Sequence, residues 1–294
     1  MATTLEKLIV LCGPTASGKT ALALELAARY KGEIVCADSR TIYRGMDIGT
    51  AKPTRAEQAR VRHHLLDVVD PGERLSAAAF KALAEEAIAD IQAQGKVPFL
   101  VGGSGLYIDA VVFDYAFPGP ADPARREQLE ALTDTELREL LAAEDPEAFE
   151  VVDLDNRRRV IRAIETAGQE RFMRTEPRPE TLLLGVTLNK EIAQKRVEHR
   201  IKKMLEEGFV QEVEAIGKRY GWESEALSVI GYRAFKDVVL GTKTEEDGVA
   251  DFVRGDMALY KKQVTWFKRN KSIRWVANTA EAERLVQEFL GLRV

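Results

Sequence analysis

Eight residues constrain this chain more than any others. Gly13-Pro14-Thr15-Ala16-Ser17-Gly18-Lys19-Thr20 follow the apolar run Leu8-Ile9-Val10-Leu11 and open a helix-like segment from Ala21 to Tyr30. A strand, a glycine-bounded loop ending in Lys-Thr and a helix together form a phosphate-binding loop. The glycines let successive backbone N–H groups turn inward onto an anion, the lysine adds a mobile positive charge, and the threonine hydroxyl can enter the shell of a magnesium ion. Gly13, Thr15, Ala16, Ser17, Gly18, Lys19 and Thr20 are therefore candidate phosphate ligands, and Thr20 is also the candidate magnesium ligand. The loop alone does not say whose phosphates it holds.

Further apolar runs place this loop in a sheet. Glu33-Ile34-Val35-Cys36-Ala37 ends at Asp38, and Val97-Pro98-Phe99-Leu100-Val101 ends at Gly102-Gly103-Ser104-Gly105. Between them Ser76 to Gln94 has alanine-rich helical periodicity, with Ser76 as N-cap and Gly95 as stop. Strands alternating with helices predict a parallel α/β sheet of the P-loop NTPase-like class. Proline clusters at Phe117–Pro123 and Glu176–Pro179 bracket a stretch with only helical character. Thr181–Thr187 then reads as a strand returning to the sheet, followed by charged helices from Lys190 to about Lys271 and a short strand at Ile273–Val276. The expected organisation is an α/β core from residues 1–114 and 181–294, with a helical insertion over 115–180.

The 294 residues are 45% hydrophobic, enough for a sizeable core. No run of eighteen apolar residues occurs, and Met1–Lys7 leads directly into the first strand with no signal-peptide layout, so a cytoplasmic protein without a membrane partner is expected. Cys12 and Cys36, at the ends of two predicted strands, suit buried thiols better than a disulfide. A net charge of −4 argues weakly against nucleic acid, but it hides two basic clusters. Arg254, Lys261, Lys262, Lys268, Arg269, Lys271 and Arg274 surround a single acid, Asp256, and Arg157-Arg158-Arg159 with Arg162 lies mid-chain. Each cluster is either a solvated helix face or an RNA-phosphate surface.

Two features separate the chain from motor and signalling NTPases. No later strand ends in the acid of a Walker B element, which disfavours ATP hydrolysis. Asp38-Ser39 stands at the carboxyl end of a predicted strand, the edge where parallel sheets gather ligands. Its carboxylate either faces the phosphate loop or caps the next turn.

With Gly13–Thr20, the string Asp38-Ser39-Arg40-Thr41-Ile42-Tyr43-Arg44-Gly45-Met46-Asp47-Ile48-Gly49-Thr50-Ala51-Lys52-Pro53 closely resembles the tRNA dimethylallyltransferase family. The similarity continues through His63–Asp67, Val101–Tyr107, Asn156–Glu165, Ile230-Gly231-Tyr232 and Gln263–Phe267, nearly the whole chain. The resemblance implies transfer of a dimethylallyl group from dimethylallyl diphosphate to the exocyclic N6 amine of the adenosine 3′ of the anticodon in tRNA, with magnesium and release of diphosphate. It implies Asp38 as general base, Lys19 and Thr20 on diphosphate and magnesium, Ser104 near the reacting amine, and Arg200 on the diphosphate. It further implies tRNA contacts at Asp38, Ser39, Arg40, Thr41, Ser104, Arg126, Arg158, Arg159, Val160, Ile161 and Arg162, the insertion gripping the anticodon stem. A monomer is expected.

The chemistry agrees. An allylic diphosphate ionises readily, so charge on the departing diphosphate must be neutralised, and an adenine amine needs a carboxylate to take its proton. The target base must also leave its stack for a pocket. Two positions depart from the family: Thr41 stands where many relatives have Gln, and Asp256-Met257-Ala258 where relatives often have Thr-Arg-Gln. His63-His64 lack zinc-motif spacing and are expected to be structural or to position substrate. Trp266, Phe267 and Trp275 are expected in the core, while Tyr43 and Tyr107 either pack or line a prenyl pocket. A nucleoside or nucleotide kinase, a prenyltransferase of free adenine nucleotides and a non-catalytic RNA-binding module are the competing readings.

Overall fold

The computed structural model describes residues 6–117, 119, 122–169 and 173–292. Residues 1–5 of the expected start and Pro118, Pro120 and Ala121 of the first proline cluster lie outside the described residues. In chain order the first part holds β1 (Leu8–Cys12), α1 (Lys19–Arg29), β2 (Gly32–Ala37), α2 (Arg55–Arg60), β3 (His63–His64), α3 (Ala77–Ala93), β4 (Val97–Gly102) and α4 (Gly105–Val112). Four helices follow: α5 (Pro123–Ala131), α6 (Asp134–Glu144), α7 (Pro146–Val151) and α8 (Arg157–Glu165). The chain then adds β5 (Thr181–Val186), α9 (Lys190–Glu206), α10 (Phe209–Tyr220), α11 (Ile230–Val239), α12 (Glu245–Lys268), β6 (Arg274–Val276) and α13 (Thr279–Leu290).

The six strands pair in parallel in the order β3-β2-β4-β1-β5-β6. Every residue of β1 and β4 is buried, as expected of a sheet covered on both faces. The two-residue period sends Ile9 and Leu11 to a layer with α1 and α13, and Leu8, Val10 and Cys12 to a layer with α3 and α4. Ser76 caps α3 as its sequence implies, accepting from Ala79 N. Cys12 and Cys36 are buried free thiols, and burial pushes the Cys12 thiol up to about 12.

A third apolar cluster joins α9 to α12 with Ile42, Tyr43 and Met46, around edge-on contacts of Phe209 with Tyr232 and Phe235. The chain divides into two compact units, one of residues 1–113 and 176–294 and one of residues 114–175. The second boundary falls before the expected residue 180 because the returning segment bonds to the first unit. Arg178 N donates to Val112 O at 2.8 Å, and Leu8 N donates to Glu180 O at 2.9 Å. The helical unit has its own core, built by Leu129, Leu137, Leu141, Val160, Ile161 and Ile164.

Candidate active site

The carboxyl ends of β1, β2 and β4 open onto one cavity of about 540 Å³. Thr15 to Thr20 form one wall, and Asp38 to Thr41 with Gly102 to Tyr107 form another. The phosphate loop is shaped for an anion. Gly18, the N-cap of α1, has φ +93°, and no side chain caps the helix among the described residues, so its first N–H groups remain available. Ala16 is also left-handed, at φ +61°. Arg196 Nη1 donates to Ala16 O at 3.3 Å and steadies the loop from α9.

Gln263 on α12 ties the two walls together. Its Oε1 accepts from Thr15 N at 2.8 Å, and its Nε2 donates to Gly103 O at 2.8 Å. A Cβ at Gly103 would lie 2.5 Å from that nitrogen and displace it from this bond. Ser104 Oγ accepts from Ser39 N at 2.9 Å and lies 3.2 Å from Ser39 Oγ, joining the β4 loop to the β2 loop. Asp38 both closes a turn and lines the cavity. Oδ1 accepts from Arg40 N at 2.9 Å in a tight turn, while Oδ2 has no hydrogen-bond partner among the described residues and the residue lines the cavity.

Charge inside the cavity is concentrated. Burial lowers the Lys19 ammonium below its ordinary range, opposed by the nearby Asp38 carboxylate. Arg200 Nη2 donates to Thr15 Oγ1 at 3.1 Å and to the buried Asp256 carboxylate, whose Oδ1 lies 3.6 Å from Arg40 Nη1. Ser17 Oγ, Thr41 Oγ1 and Arg200 Nε are buried with no protein partner among the described residues. A pocket that leaves these groups unsatisfied is complementary to a polar ligand. Trp266 and Tyr107 close the apolar side. Trp266 Nε1 donates to Asp109 Oδ2 at 2.7 Å, and Tyr107 stacks on Phe80 with centroids 4.0 Å apart.

The family model described as IPP transferase matches residues 41–270. A tRNA dimethylallyltransferase of Picosynechococcus is 39% identical over 97% of this chain and 97% of that protein, and one of Bifidobacterium longum is 40% identical over 92% and 86%. The chain belongs to the tRNA dimethylallyltransferase family. Among solved structures, the tRNA isopentenylpyrophosphate transferase of Bacillus halodurans is 34% identical with a TM-score of 0.74, covering 97% of this chain and 96% of that one. A eukaryotic dimethylallyltransferase acting on tRNA, at 22% identity and TM-score 0.86 over 98% of this chain and 80% of that one, shares the fold.

Against this dimethylallyltransferase framework, several residues take places that their sequence positions do not convey. The loop Met46–Pro53 is held by Glu212 on α10, whose carboxylate accepts from Asp47 N, Ile48 N and Gly49 N at 2.9 Å each and from the Tyr232 hydroxyl. Lys52, buried, donates to Tyr43 O at 2.8 Å, Asp47 Oδ1 at 2.5 Å and Asp67 Oδ1 at 2.6 Å. Gly49, Thr50 and Ala51 line the cavity as a result. His63 lines the cavity too, its imidazole lowered by burial, and His64 Nε2 bonds Glu33 at 2.6 Å. No metal-holding group of three or more His, Cys, Asp or Glu occurs among the described residues.

Two expectations need correction, for Trp266 and for Val160 with Ile161. Trp266 lies on α12 and lines the cavity, whereas Phe267 beside it is core at 1% exposure. Of the two placements open to the tyrosines, Tyr43 packs in the α9–α12 cluster and Tyr107 lines this cavity. Val160 and Ile161 are buried in the helical unit's own core because they form the apolar stripe of α8, so their side chains offer RNA no surface. Asp256, the lone acid of the C-terminal basic segment, finds its partners elsewhere in the fold. It is 1% exposed and turned onto Arg200 and Arg40, while Arg254 pairs with Asp251 at 2.7 Å.

In the helical unit, Arg126 Nη1 donates to Glu165 Oε1 at 2.9 Å and Arg159 pairs with Asp153 at 3.2 Å. Arg162 lies 3.4 Å from Glu165, and exposed Arg158 has no ion pair among the described residues. The parts that Gln263, Asp256 and Glu212 play are what reading along the chain misses. Only the lone acid within a basic segment marks Asp256 in advance.

Proposed function

We propose that this protein transfers a dimethylallyl group from dimethylallyl diphosphate to the N6 amine of the adenosine 3′ of the anticodon in tRNA, releasing diphosphate in the cytoplasm. One observation carries the reading: a single cavity is walled on one side by the phosphate loop and on the other by Asp38 and Ser104. The N-terminus of α1, Lys19 and Arg200 receive the diphosphate and its growing charge as the allylic C–O bond breaks. The adenine nitrogen supplies the electron pair of the new C–N bond, and its proton passes to the Asp38 carboxylate. Ser104 fixes the Asp38-Ser39 turn against β4 and offers its hydroxyl beside the amine. Met204, Phe252, Leu259 and Trp266 give the prenyl chain an apolar wall that keeps water from the allylic carbon.

The loop fits magnesium: Thr20 sits exposed in the first turn of α1 beside Lys19, and its hydroxyl would hold the ion next to the diphosphate. Magnesium takes few protein ligands and completes its shell with phosphate oxygens and water. When bound it neutralises charge on the leaving group.

Labelled dimethylallyl diphosphate, magnesium and either unmodified tRNA or free AMP test this directly. Label is expected on tRNA alone; label on AMP alone overturns the tRNA assignment. The Asp38→Asn variant is expected to keep tRNA binding and lose ~10²–10⁴-fold in turnover. Near-normal turnover in that variant would remove Asp38 as the base.

A further inference from the structure

Arg200 and Asp256 hold the parts of a two-pronged ion pair that is only half made. Arg200 Nη2 donates to Asp256 Oδ2, yet Arg200 Nε and Asp256 Oδ1 are both buried without a hydrogen bond among the described residues. Guanidinium and carboxylate ordinarily close such a pair with two parallel bonds. The Oδ1 side faces Arg40, whose Nη1 lies 3.6 Å away. Asp256 is 1% exposed, and two arginines share its one carboxylate. Arg200 meanwhile keeps its bond to Thr15 Oγ1 on the phosphate loop, 3.1 Å away.

We propose that Arg40 is a positioning residue for the diphosphate site: by engaging Asp256 Oδ1, it prevents Arg200 from closing onto Asp256 and keeps that guanidinium at the phosphate loop. Arg40 belongs to the Asp38–Thr41 turn beside the candidate base, so the acceptor side of the cavity is coupled to the donor side through one buried carboxylate. Without Arg40, both Asp256 oxygens become available to Arg200, the pair turns bidentate, and the guanidinium is drawn away from the anion. This inference rests on the diphosphate site proposed above.

The test is binding of inorganic diphosphate with magnesium, without RNA, followed by calorimetry on folded full-length protein. Arg40→Met is expected to weaken binding about tenfold, the loss of one charge-assisted contact. Arg40→Lys restores a cation against Oδ1 and is expected to recover most of the affinity, which a simple packing role for the arginine would not give. In an Asp256→Asn background, Arg40→Met is expected to change nothing further. Unchanged binding in Arg40→Met, no rescue by lysine, or additive losses in the double variant would each overturn the inference. If Asp256→Asn does not fold, the Arg40 pair decides alone. Failure of the unsubstituted protein to bind diphosphate overturns both this inference and the functional reading, whereas failure of the Arg40 effect leaves the latter standing.

Discussion

Asp109 shows how a single side chain can carry a cost for the geometry it provides. It lies on α4 behind the cavity wall, and burial pushes its carboxyl from 3.8 up to about 6, although the Trp266 indole and the Arg269 charge pull the other way. A carboxyl whose folded value is raised binds its proton more tightly in the fold than in the unfolded chain. Its contribution is therefore complete below about pH 4 and is lost as pH rises through about 6, at most about 3 kcal/mol. Asparagine keeps an oxygen for Trp266 Nε1 and removes the charge. Asp109→Asn is expected to gain stability over the unsubstituted protein at pH 7.5, with the gap shrinking at pH 4.5, as measured by urea unfolding at both values. A gap independent of pH would contradict the assignment. Lys19 has the opposite sense, since burial lowers it and only the protonated form attracts diphosphate. Diphosphate affinity is expected to fall with rising pH at values below those of an ordinary lysine, in binding titrations across alkaline pH.

Among the elements, the Met46–Pro53 loop depends on a helix far along the chain. Three amide N–H groups converge on Glu212, and without it they lose their acceptor together. Glu212→Ala is expected to destabilise the protein by about 2–6 kcal/mol, from the two part-buried donors Ile48 N and Gly49 N at about 1–3 kcal/mol each. It should also raise KM for the prenyl donor, because Gly49 to Ala51 form cavity wall. Chemical unfolding with steady-state kinetics separates the two effects; a stability loss with unchanged KM would make the loop a structural element only. Tyr232→Phe, which removes one donor from the same carboxylate, is expected to be the milder change. The same loop shows where the sequence is legible. Lys19, Thr20, Asp38 and Ser104 can be found because each follows an apolar run ending at the carboxyl edge of a parallel sheet, a strictly local signal. Gln263 and Glu212 reach the site from helices whose own periodicity reports only their packing faces, so nothing local announces them. Val160 and Ile161 mislead for the complementary reason: they sit within an arginine run yet occupy the buried stripe of their helix.

For the molecule as a whole, an anionic chain must attract a polyanion, and the distribution of charge resolves the conflict. The net charge is −4, but acids neutralise many basic side chains within the fold, including Arg126 by Glu165 and Arg254 by Asp251. Arg158 on α8 and Lys261, Lys262 and Lys268 on α12 are exposed, with no ion pair among the described residues. Such charges are well placed to exchange counterions for RNA phosphates, because no internal salt bridge has to break first. Each phosphate contact contributes about −0.7 to −0.9 to the slope of log affinity against log salt. Removing Arg158 by Arg158→Ala is therefore expected to make the slope for tRNA shallower by about that amount while leaving diphosphate binding untouched, and Arg254→Ala to change the slope little. Filter binding between about 50 and 200 mM salt measures both. An unaltered slope in Arg158→Ala would remove α8 from the RNA surface. A steeper effect for Arg254 than for Arg158 would mean that RNA displaces Asp251, making exposure a poorer guide to the interface than charge alone.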